Sequence, residues 1–250
     1  MTKKIGTFYG IGVGPGDPEL ITLKAKRVIE GAGVLAVPRS RDTASDGRSK
    51  ALSILSGVVD VEGKETIELL FPMTRDAAAL AGSRKEAAAL LSDRLSAGVD
   101  AAFITLGDPM TYSTFSYLVP FVEAALPGVR VRSIPGVTSF AALASRAVMP
   151  LAESDERVVI IPAADDMEEV RGALDAFDTV VLMKVNRGLD RLVGLLTEMD
   201  LLANAVLASR VGWPEEEITS DVASLVGRKL DYFSTLVVRK APPRTGALNG

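Results

Sequence analysis

The chain has 250 residues, of which 48% are hydrophobic, and it carries a formal net charge of −4, so it can bury the core of one large domain or of two ordinary ones. The acidic balance gives no basic surface for a phosphate backbone, and we expect no nucleic acid partner. No apolar run approaches the roughly 20 residues that cross a bilayer and the start of the chain lacks a signal-peptide core, so we expect a cytoplasmic protein with no membrane partner.

The absence of two residue types excludes several kinds of chemistry. The chain contains no Cys and no His. Thiolate nucleophiles, disulfides, Ser-His-Asp triads and the usual zinc, copper and haem sites are therefore excluded, and we expect no bound metal. An enzyme limited to carboxylates, Tyr, Lys, Arg and hydroxyls depends on positioning and on a reactive cofactor.

In the first half of the chain, apolar runs alternate with helical periodicity, which is typical of an α/β protein with a parallel sheet. FYGIGV predicts a strand, and DPELITLKAKRVIEGA predicts a helix capped by Asp17, with Pro18 at its first position, that ends at Gly31. GVLAVP predicts a strand stopped by Pro38. An Ala-rich helix is expected near 76–97, followed by strands in DAAFITLGDP and VRVRSI and a helix in SFAALASRAV.

The second half predicts a different sheet. RVVIIPA, DTVVLMKV, NAVLASRVG and FSTLVVRK indicate strands, with helices DMEEVRGALDAF and NRGLDRLVGLLTEM between the first three. No helix is predicted between the last two strands, so we expect a mixed sheet. The fold predicted is thus two α/β domains, a parallel-sheet N-terminal domain over 1–125 and a mixed-sheet C-terminal domain over 126–243.

The stretch YGIGVGPGDPEL does not fit the common nucleotide loops. Pro15 and Asp17 stand where a dinucleotide fingerprint needs its last glycine, and no Gly-Lys-Ser/Thr follows to make a P-loop. By itself the stretch could be only a tight strand-to-helix turn. However, Gly-Asp-Pro recurs in TLGDPMTYSTF after another predicted strand, and IPGVTSF adds the hydroxyls of Thr138 and Ser139. In open α/β sheets, ligands bind outside the carboxyl ends of the strands. A cleft there, lined by backbone, small hydroxyls and one or two carboxylates, would suit a zwitterionic ligand that carries an adenosine and a cation.

Several motifs together resemble one family. They are GIGVGPGDPELITLKA, LAVPRSR, LFPMTRD, TLGDPMTYSTFSYL, IPGVTSFAALAS, VVLMKV and YFSTLVVRK, and they extend from about Tyr9 to Lys240. The chain resembles the class III, tetrapyrrole-modifying S-adenosylmethionine methyltransferases. The stretches FPMTRD, YSTFSYL and YFSTL are similar to the branch that methylates C-20 of precorrin-2 or cobalt-factor-II in cobalamin biosynthesis.

This resemblance implies two α/β domains flanking a trough, a homodimer, and S-adenosylmethionine folded between the domains. The implied cofactor-binding residues are Leu106, Gly107, Asp108, Met110, Tyr112, Thr114, Thr138, Ser139, Met183, Ala208, Thr235 and Leu236. The implied substrate-binding residues of the tetrapyrrole trough are Pro15, Gly16, Asp17, Arg39 and Arg75. The bare backbone of the first loop would then leave room for a large flat macrocycle.

Two residues are candidate catalytic groups under this resemblance. Asp108 would orient the polar groups of the cofactor, although it could instead only cap a helix that starts at Pro109. Tyr112 would shape the trough or manage the proton lost from C-20. Methyl transfer from a sulfonium is an in-line displacement, so holding the two reacting atoms close together is the main task of such a protein.

Other residues have ordinary alternatives. We expect Arg39 and Arg75 to pair with substrate carboxylates. Arg41, Arg48 and Lys50 could equally form a solvated charged loop. Met183 could be a core residue and Lys184 could extend to solvent.

Two further functions stay open. The chain could methylate a different tetrapyrrole carbon, a protein or ribosomal RNA, or it could be a cofactor-binding regulatory module without turnover. The sequence does not distinguish a metal-free substrate from its cobalt complex.

Overall fold

A computed structural model describes residues 4–40, 49–74, 76–162 and 165–241, and the chain divides into two compact units, 1–138 and 139–250. This division lies later than the boundary expected after residue 125. The reason is that the strand Arg130–Ile134 pairs in parallel with Thr7–Gly12, the first strand of the first unit.

The first unit is built on a parallel sheet, as predicted. Its described elements are β1 (Thr7–Gly12), α1 (Leu23–Gly31), β2 (Val34–Ser40), α2 (Lys50–Leu55), β3 (Glu65–Phe71), α3 (Ala77–Ser96), β4 (Ala101–Thr105), α4 (Thr114–Ala125) and β5 (Arg130–Ile134). The strand order is β3-β2-β4-β1-β5, with every pairing parallel. The carboxyl ends of β1, β4 and β5 therefore meet at one edge of the sheet.

Aromatic packing fixes the centre of this sheet. Phe8, Phe103 and Phe115 are buried, and the ring of Phe115 lies 5.2 Å from Phe8 and 5.9 Å from Phe103 between centroids. A Cβ at Gly10 would overlap the Phe115 ring. Gly10 thus lets α4 pack directly on β1.

Two local predictions in the first unit were wrong. Asp17 caps only a single 3-10 turn, Pro18–Leu20, and α1 begins later, where the Thr22 hydroxyl accepts a hydrogen bond from the amide of Ala25 at 3.1 Å. Pro38 does not stop β2. Since β4 pairs only with residues 34–36 of β2, Pro38 lies beyond that ladder, where a missing N–H is tolerated.

The second unit is built on a mixed sheet, which is also as predicted. Its described elements are α5 (Ser139–Arg146), β6 (Val158–Ile161), α6 (Met167–Ala176), β7 (Thr179–Met183), α7 (Leu189–Glu198), β8 (Ala205–Ser209), β9 (Glu217–Thr219) and β10 (Ser234–Arg239). The strand order is β6-β7-β10-β8-β9; only β6 and β7 pair in parallel.

The two faces of this second sheet differ. Leu182, Leu207 and Leu236 are register partners on one face, within a buried cluster that includes residues of α6 and α7. Because side chains alternate along a strand, Met183, Ala208 and Thr235 lie on the opposite face. The hydroxyl of Ser139, the first residue of α5, lies 3.2 Å from that of Thr235, so α5 begins over this opposite face.

Within the four described ranges, no helix has the length and apolar character needed to span a membrane.

Candidate active site

In the first unit, the candidate site is formed by the loops after β1, β4 and β5, whose backbones are in direct contact. The loops after β1 and β4 form a bridge in which the Gly107 amide donates to the Gly14 carbonyl at 2.8 Å. A Cβ on Gly12 or on Gly136 would collide with the carbonyl oxygen of Gly107. These glycines let three strand ends touch one another, which is a different role from leaving room for a macrocycle.

Asp108 lies at the centre of this contact. One carboxylate oxygen, Oδ1, accepts hydrogen bonds from the Met110 amide at 2.8 Å and from the Thr111 hydroxyl at 3.3 Å. The other, Oδ2, accepts from the Gly136 amide at 3.1 Å. The alternative that Asp108 caps a helix is wrong, because α4 begins only at Thr114 and its N-cap is Ser113. The carboxylate instead ties the loop after β4 to the loop after β5.

The segment between Asp108 and α4 presents two large side chains to the surface. Met110 is 61% exposed and Tyr112 is 44% exposed. Tyr112 has a φ of 50°, in the left-handed region that a bulky residue rarely adopts. Of the other residues in the predicted cofactor set, Leu106, Gly107, Thr114 and Thr138 are half-buried. Gly107 also has a positive φ, 63°, which turns the chain sharply after β4.

The residues predicted to line the tetrapyrrole trough have mixed positions. Gly16 is buried, and Pro15 and Asp17 are half-buried. The Asp17 carboxylate accepts a hydrogen bond from the Glu19 amide at 2.9 Å, so it stabilises the turn at the end of the loop.

The arginines predicted to pair with substrate can be located only in part. Arg39 lies at the end of β2 and donates through Nη1 to Glu68 on β3 at 2.5 Å, while its Nε is buried and has no hydrogen-bond partner among the described residues. The Arg39 side chain is 29% exposed. Arg75, Arg41 and Arg48 lie outside the described residues. Lys50 is the first residue of α2.

In the second unit, four residues of the predicted cofactor set come together. Thr235 on β10 is the register partner of Met183 on β7 and of Ala208 on β8, so the three form one row across the sheet. Ser139 joins this row through its hydroxyl contact with Thr235. Met183 is half-buried, whereas Ala208 and Thr235 are buried.

Leu236 does not join them. Its side chain lies on the opposite face of the sheet, in the cluster packed against α6 and α7, and it is fully buried. The Leu236 side chain is therefore part of the core.

Sequence reasoning missed a group of side chains at the edge of the second sheet where β7 and β8 end and β10 begins. We call it the aromatic ledge; its members are Lys184, Arg210, Trp213, Tyr232 and Phe233. The Trp213 and Phe233 rings stack with centroids 5.9 Å apart, and Tyr232 meets Phe233 edge-on at 5.4 Å. The motifs VVLMKV and YFSTLVVRK contain Lys184, Tyr232 and Phe233, but the assembly of the ledge depends on the pairing of β10 with β7 and β8.

A partly buried carboxylate, that of Asp231, holds the ledge in place. Nε and Nη2 of Arg210 donate to the Asp231 carboxylate at 3.0 and 2.7 Å, and the Phe233 amide donates to the same carboxylate at 2.9 Å. The hydrogen bond that Arg210 donates to Asp231 is the main reason that the pKa of Arg210 is raised above its ordinary value. Arg210 thus stays charged and holds the loop before β10 in place.

The comparisons with known proteins agree with this fold. The family described as Tetrapyrrole (Corrin/Porphyrin) Methylases matches residues 7–225. The chain is 37% identical over 238 residues to the cobalt-precorrin-2 C(20)-methyltransferase of Salmonella typhimurium, covering 94% of this chain and 97% of that protein. It is 28% identical to the precorrin-2 C(20)-methyltransferase of a Sinorhizobium species, covering 94% of this chain and 95% of that protein.

Among solved structures, the chain is similar to a cobalt precorrin-4 methyltransferase with a TM-score of 0.68, over 98% of this chain and 96% of that one. The sequence identity is 19%, so this likeness concerns the fold alone. The family match and the full-length relative together go further: the chain belongs to the tetrapyrrole (corrin/porphyrin) methylases.

Proposed function

We propose that the chain transfers a methyl group from S-adenosylmethionine to C-20 of precorrin-2 or of its cobalt complex, in cobalamin biosynthesis. The observation that carries this proposal is the 37% identity, over 94% of the chain, to a protein named for that reaction. The cobalt complex is the favoured substrate, since the relative named for the metal-free compound is less similar, at 28% identity.

The cobalt ion belongs to the substrate in this proposal. In the part of the chain that the structure describes, no group of three or more His, Cys, Asp or Glu side chains could hold a metal ion. The task of the protein is to bind the macrocycle and to orient it.

The groups available in each unit suit S-adenosylmethionine, which supplies an electrophilic methyl group on a sulfonium when it is bound. The second unit offers the hydroxyls of Ser139 and Thr235 beside Met183 and Ala208. The first unit offers the backbone at Leu106 and Gly107, the Thr138 hydroxyl and the Met110 side chain. Hydroxyls and backbone groups suit the polar ends of a zwitterion, and the Met183 thioether, beside Thr235 in the second unit, provides an apolar contact for its ring.

We assign Asp108 a positioning role. Its carboxylate already accepts hydrogen bonds from Met110, Thr111 and Gly136, so it holds the two loops that would border the donor. Exact placement of these loops matters, because a displacement requires the reacting atoms at roughly 3–3.5 Å. Leu236 acts through packing behind Thr235.

Tyr112 is the candidate for contact with the reacting carbon. Its phenol is exposed, on the same loop as Asp108, and its left-handed backbone is a kind of strain that clusters at functional sites. We propose that Tyr112 borders C-20 and hydrogen-bonds to the base or water that takes the proton lost there.

Some of the substrate carboxylates would bind to the first unit. We propose that Arg39, with Arg75, pairs with acetate or propionate groups, and that Pro15, Gly16 and Asp17 border the ring. The pairing of Arg39 with Glu68 presents the guanidinium in a fixed orientation. We also propose that the protein acts in the cytoplasm as a homodimer.

The position of the new methyl group tests the proposal. Purified protein would be incubated without oxygen with S-adenosylmethionine labelled with ¹³C at the methyl group and with precorrin-2, and the product examined by NMR. A single labelled methyl at C-20 is expected. A label at any other carbon would favour the alternative of a family member with a different regiochemistry.

A further inference from the structure

The aromatic ledge of the second unit is held in a strained backbone. Lys184 follows β7 with a φ of 58°, and Arg210 follows β8 with a φ of 53°. Non-glycine residues rarely adopt this left-handed conformation, and such strained residues cluster at active sites and ligand clamps. Two such residues follow β7 and β8, the strands on either side of β10, at the end of the sheet where β10 begins.

The two cations of the ledge, Arg210 and Lys184, differ in their partners. Arg210 is neutralised by Asp231 at 2.7 Å. The Lys184 ammonium lies 5.7 Å from the centre of the Tyr232 ring and forms no ion pair with any residue that the structure describes. One cation is therefore left without an acidic partner on this surface.

The remaining surface of the ledge is aromatic. Tyr232 is 42% exposed and Phe233 is 36% exposed. Trp213 supports Phe233 from the side by stacking. Exposed aromatic rings beside an ammonium suit a flat ligand that carries carboxylates, through apolar contact and a charge-assisted pair.

We propose that the ledge is a binding subsite for the tetrapyrrole substrate, in which Tyr232 and Phe233 contact the rim of the macrocycle and Lys184 pairs with one of its carboxylates. This inference rests on the proposed function. The substrate is the better occupant because it is a broad ring edged with acetates and propionates. The methyl donor carries a positive sulfonium, which the Lys184 ammonium would repel.

Fluorescence offers a direct test, because Trp213 is the single tryptophan of the chain. Uroporphyrin III, a stable tetrapyrrole with acetate and propionate side chains, would be titrated into the full chain while the Trp213 emission is followed. S-adenosylhomocysteine binding would be measured in parallel by calorimetry. The variants are Lys184→Ala, Lys184→Arg and Tyr232→Ala.

The matched control is Lys240→Ala. Lys240 follows the opposite end of β10 and donates a hydrogen bond to the Asp175 carbonyl at 2.9 Å, so it is a strand-end lysine away from the ledge. Its removal should leave both dissociation constants unchanged.

We expect Lys184→Ala to weaken uroporphyrin III binding by about fivefold, the upper end for an exposed ion pair. Tyr232→Ala should weaken it by a similar factor. Lys184→Arg should retain the affinity, and the dissociation constant of S-adenosylhomocysteine should not change in any variant.

Unchanged uroporphyrin III binding in both Lys184→Ala and Tyr232→Ala would overturn the inference. A change in oligomeric state by light scattering, with the tetrapyrrole affinity intact, would also overturn it and assign the ledge to a subunit contact. The two proposals fail separately. If uroporphyrin III binding depends on Lys184 but the wild-type protein transfers no methyl group to precorrin-2 or to its cobalt complex, only the proposed function is refuted.

Discussion

The carboxylate of Asp108 and the amide of Gly136 are joined by a hydrogen bond of 3.1 Å that links the loops after β4 and β5. Replacing Asp108 by Ala leaves this amide and that of Met110 without their acceptor, at a cost of about 1–3 kcal/mol. We expect lower thermal stability and weaker S-adenosylhomocysteine binding. Asp108→Asn should lie between Ala and wild type, because its amide oxygen can still accept from Met110.

A purely catalytic role for Asp108 predicts a loss of activity without a loss of stability or of cofactor affinity. In that case both variants would lose kcat while stability and cofactor affinity stayed at wild-type values. Calorimetric titration and thermal unfolding of the three proteins distinguish the two roles.

The close approach of Gly136 to Gly107 predicts that adding a single Cβ at Gly136 lowers the stability of the protein. Gly136→Ala would drive a Cβ into the Gly107 carbonyl, and backbone on both sides cannot move aside as a flexible side chain can. We expect a loss of stability of roughly 1–3 kcal/mol, measured by chemical denaturation.

The control for Gly136 is Gly82→Ala in α3. A Cβ at Gly82 meets no atom within 4 Å, and alanine favours a helix over glycine by roughly 0.5–1 kcal/mol. Gly82→Ala should therefore be neutral or stabilising. Equal effects at the two positions would contradict the role assigned to the glycine contact.

Arg39 tests the binding of substrate carboxylates. Arg39→Ala should raise the KM for the tetrapyrrole roughly tenfold, the effect of losing one hydrogen bond to a charged group, with little change in kcat. The control is Arg94→Ala, because Arg94 pairs with Glu65 on the same strand as Glu68, at 2.6 Å. A KM that stays constant at low salt in Arg39→Ala would remove Arg39 from the substrate site.

The hydroxyl of Thr235 should matter for the cofactor. Thr235→Val keeps the shape of the side chain but removes its contact with Ser139, and we expect weaker S-adenosylhomocysteine binding by roughly fivefold, equivalent to one neutral hydrogen bond. Thr179→Val is the control, since the Thr179 hydroxyl lies on the same face of the sheet, buried and with no hydrogen-bond partner among the described residues. Weaker binding in the control alone would contradict the site.

The ion pairs of the buried Arg239 with two partly exposed glutamates predict how stability changes at low pH. Arg239 on β10 is 5% exposed and donates to Glu153 and Glu156 at 2.7 and 2.9 Å. The hydrogen bond from Arg239 lowers the pKa of Glu156 below its ordinary value. A lowered pKa in the folded state means that the ionised carboxylate stabilises the fold above the unfolded pKa, and that this contribution disappears as the pH falls.

We therefore expect the free energy of unfolding to fall below about pH 4.3, the ordinary pKa of a glutamate. Glu156→Gln should be less stable than wild type at pH 7, and the difference should shrink on acidification. A difference that is constant between pH 7 and pH 3 would show that Glu156 does not contribute through its charge.

The parts of the fold that follow from local pattern were predictable. The strands β4, β8 and β10 are buried along their whole length and contain the apolar runs AAFI, AVLA and LVV. The alternation with helices predicted a parallel sheet followed by a mixed one. Missed elements had weak patterns. β3 reads ETIELLF with mostly exposed side chains, and α4 contains Pro120 in its interior.

The candidate site was predictable only as a set of motifs. Resemblance named Met183, Ala208 and Thr235, but their alignment in one row depends on the register of three strands. For the same reason, the sequence could not reveal that Asp108 binds Gly136 or that Leu236 faces the core. The role of Gly12 could not be read from the sequence either. It depends on the pairing of β1 with β4 and β5, which brings Gly12 against the backbone of Gly107 and Gly136.

The most direct test of C-20 methyl transfer is an anaerobic assay with labelled S-adenosylmethionine, in which precorrin-2 and its cobalt complex are offered side by side and methyl incorporation is followed by mass. We expect a product heavier by one methyl group, with the higher kcat/KM on the cobalt complex. Incorporation into neither compound, by protein that still binds S-adenosylhomocysteine in calorimetry, would contradict the proposed reaction.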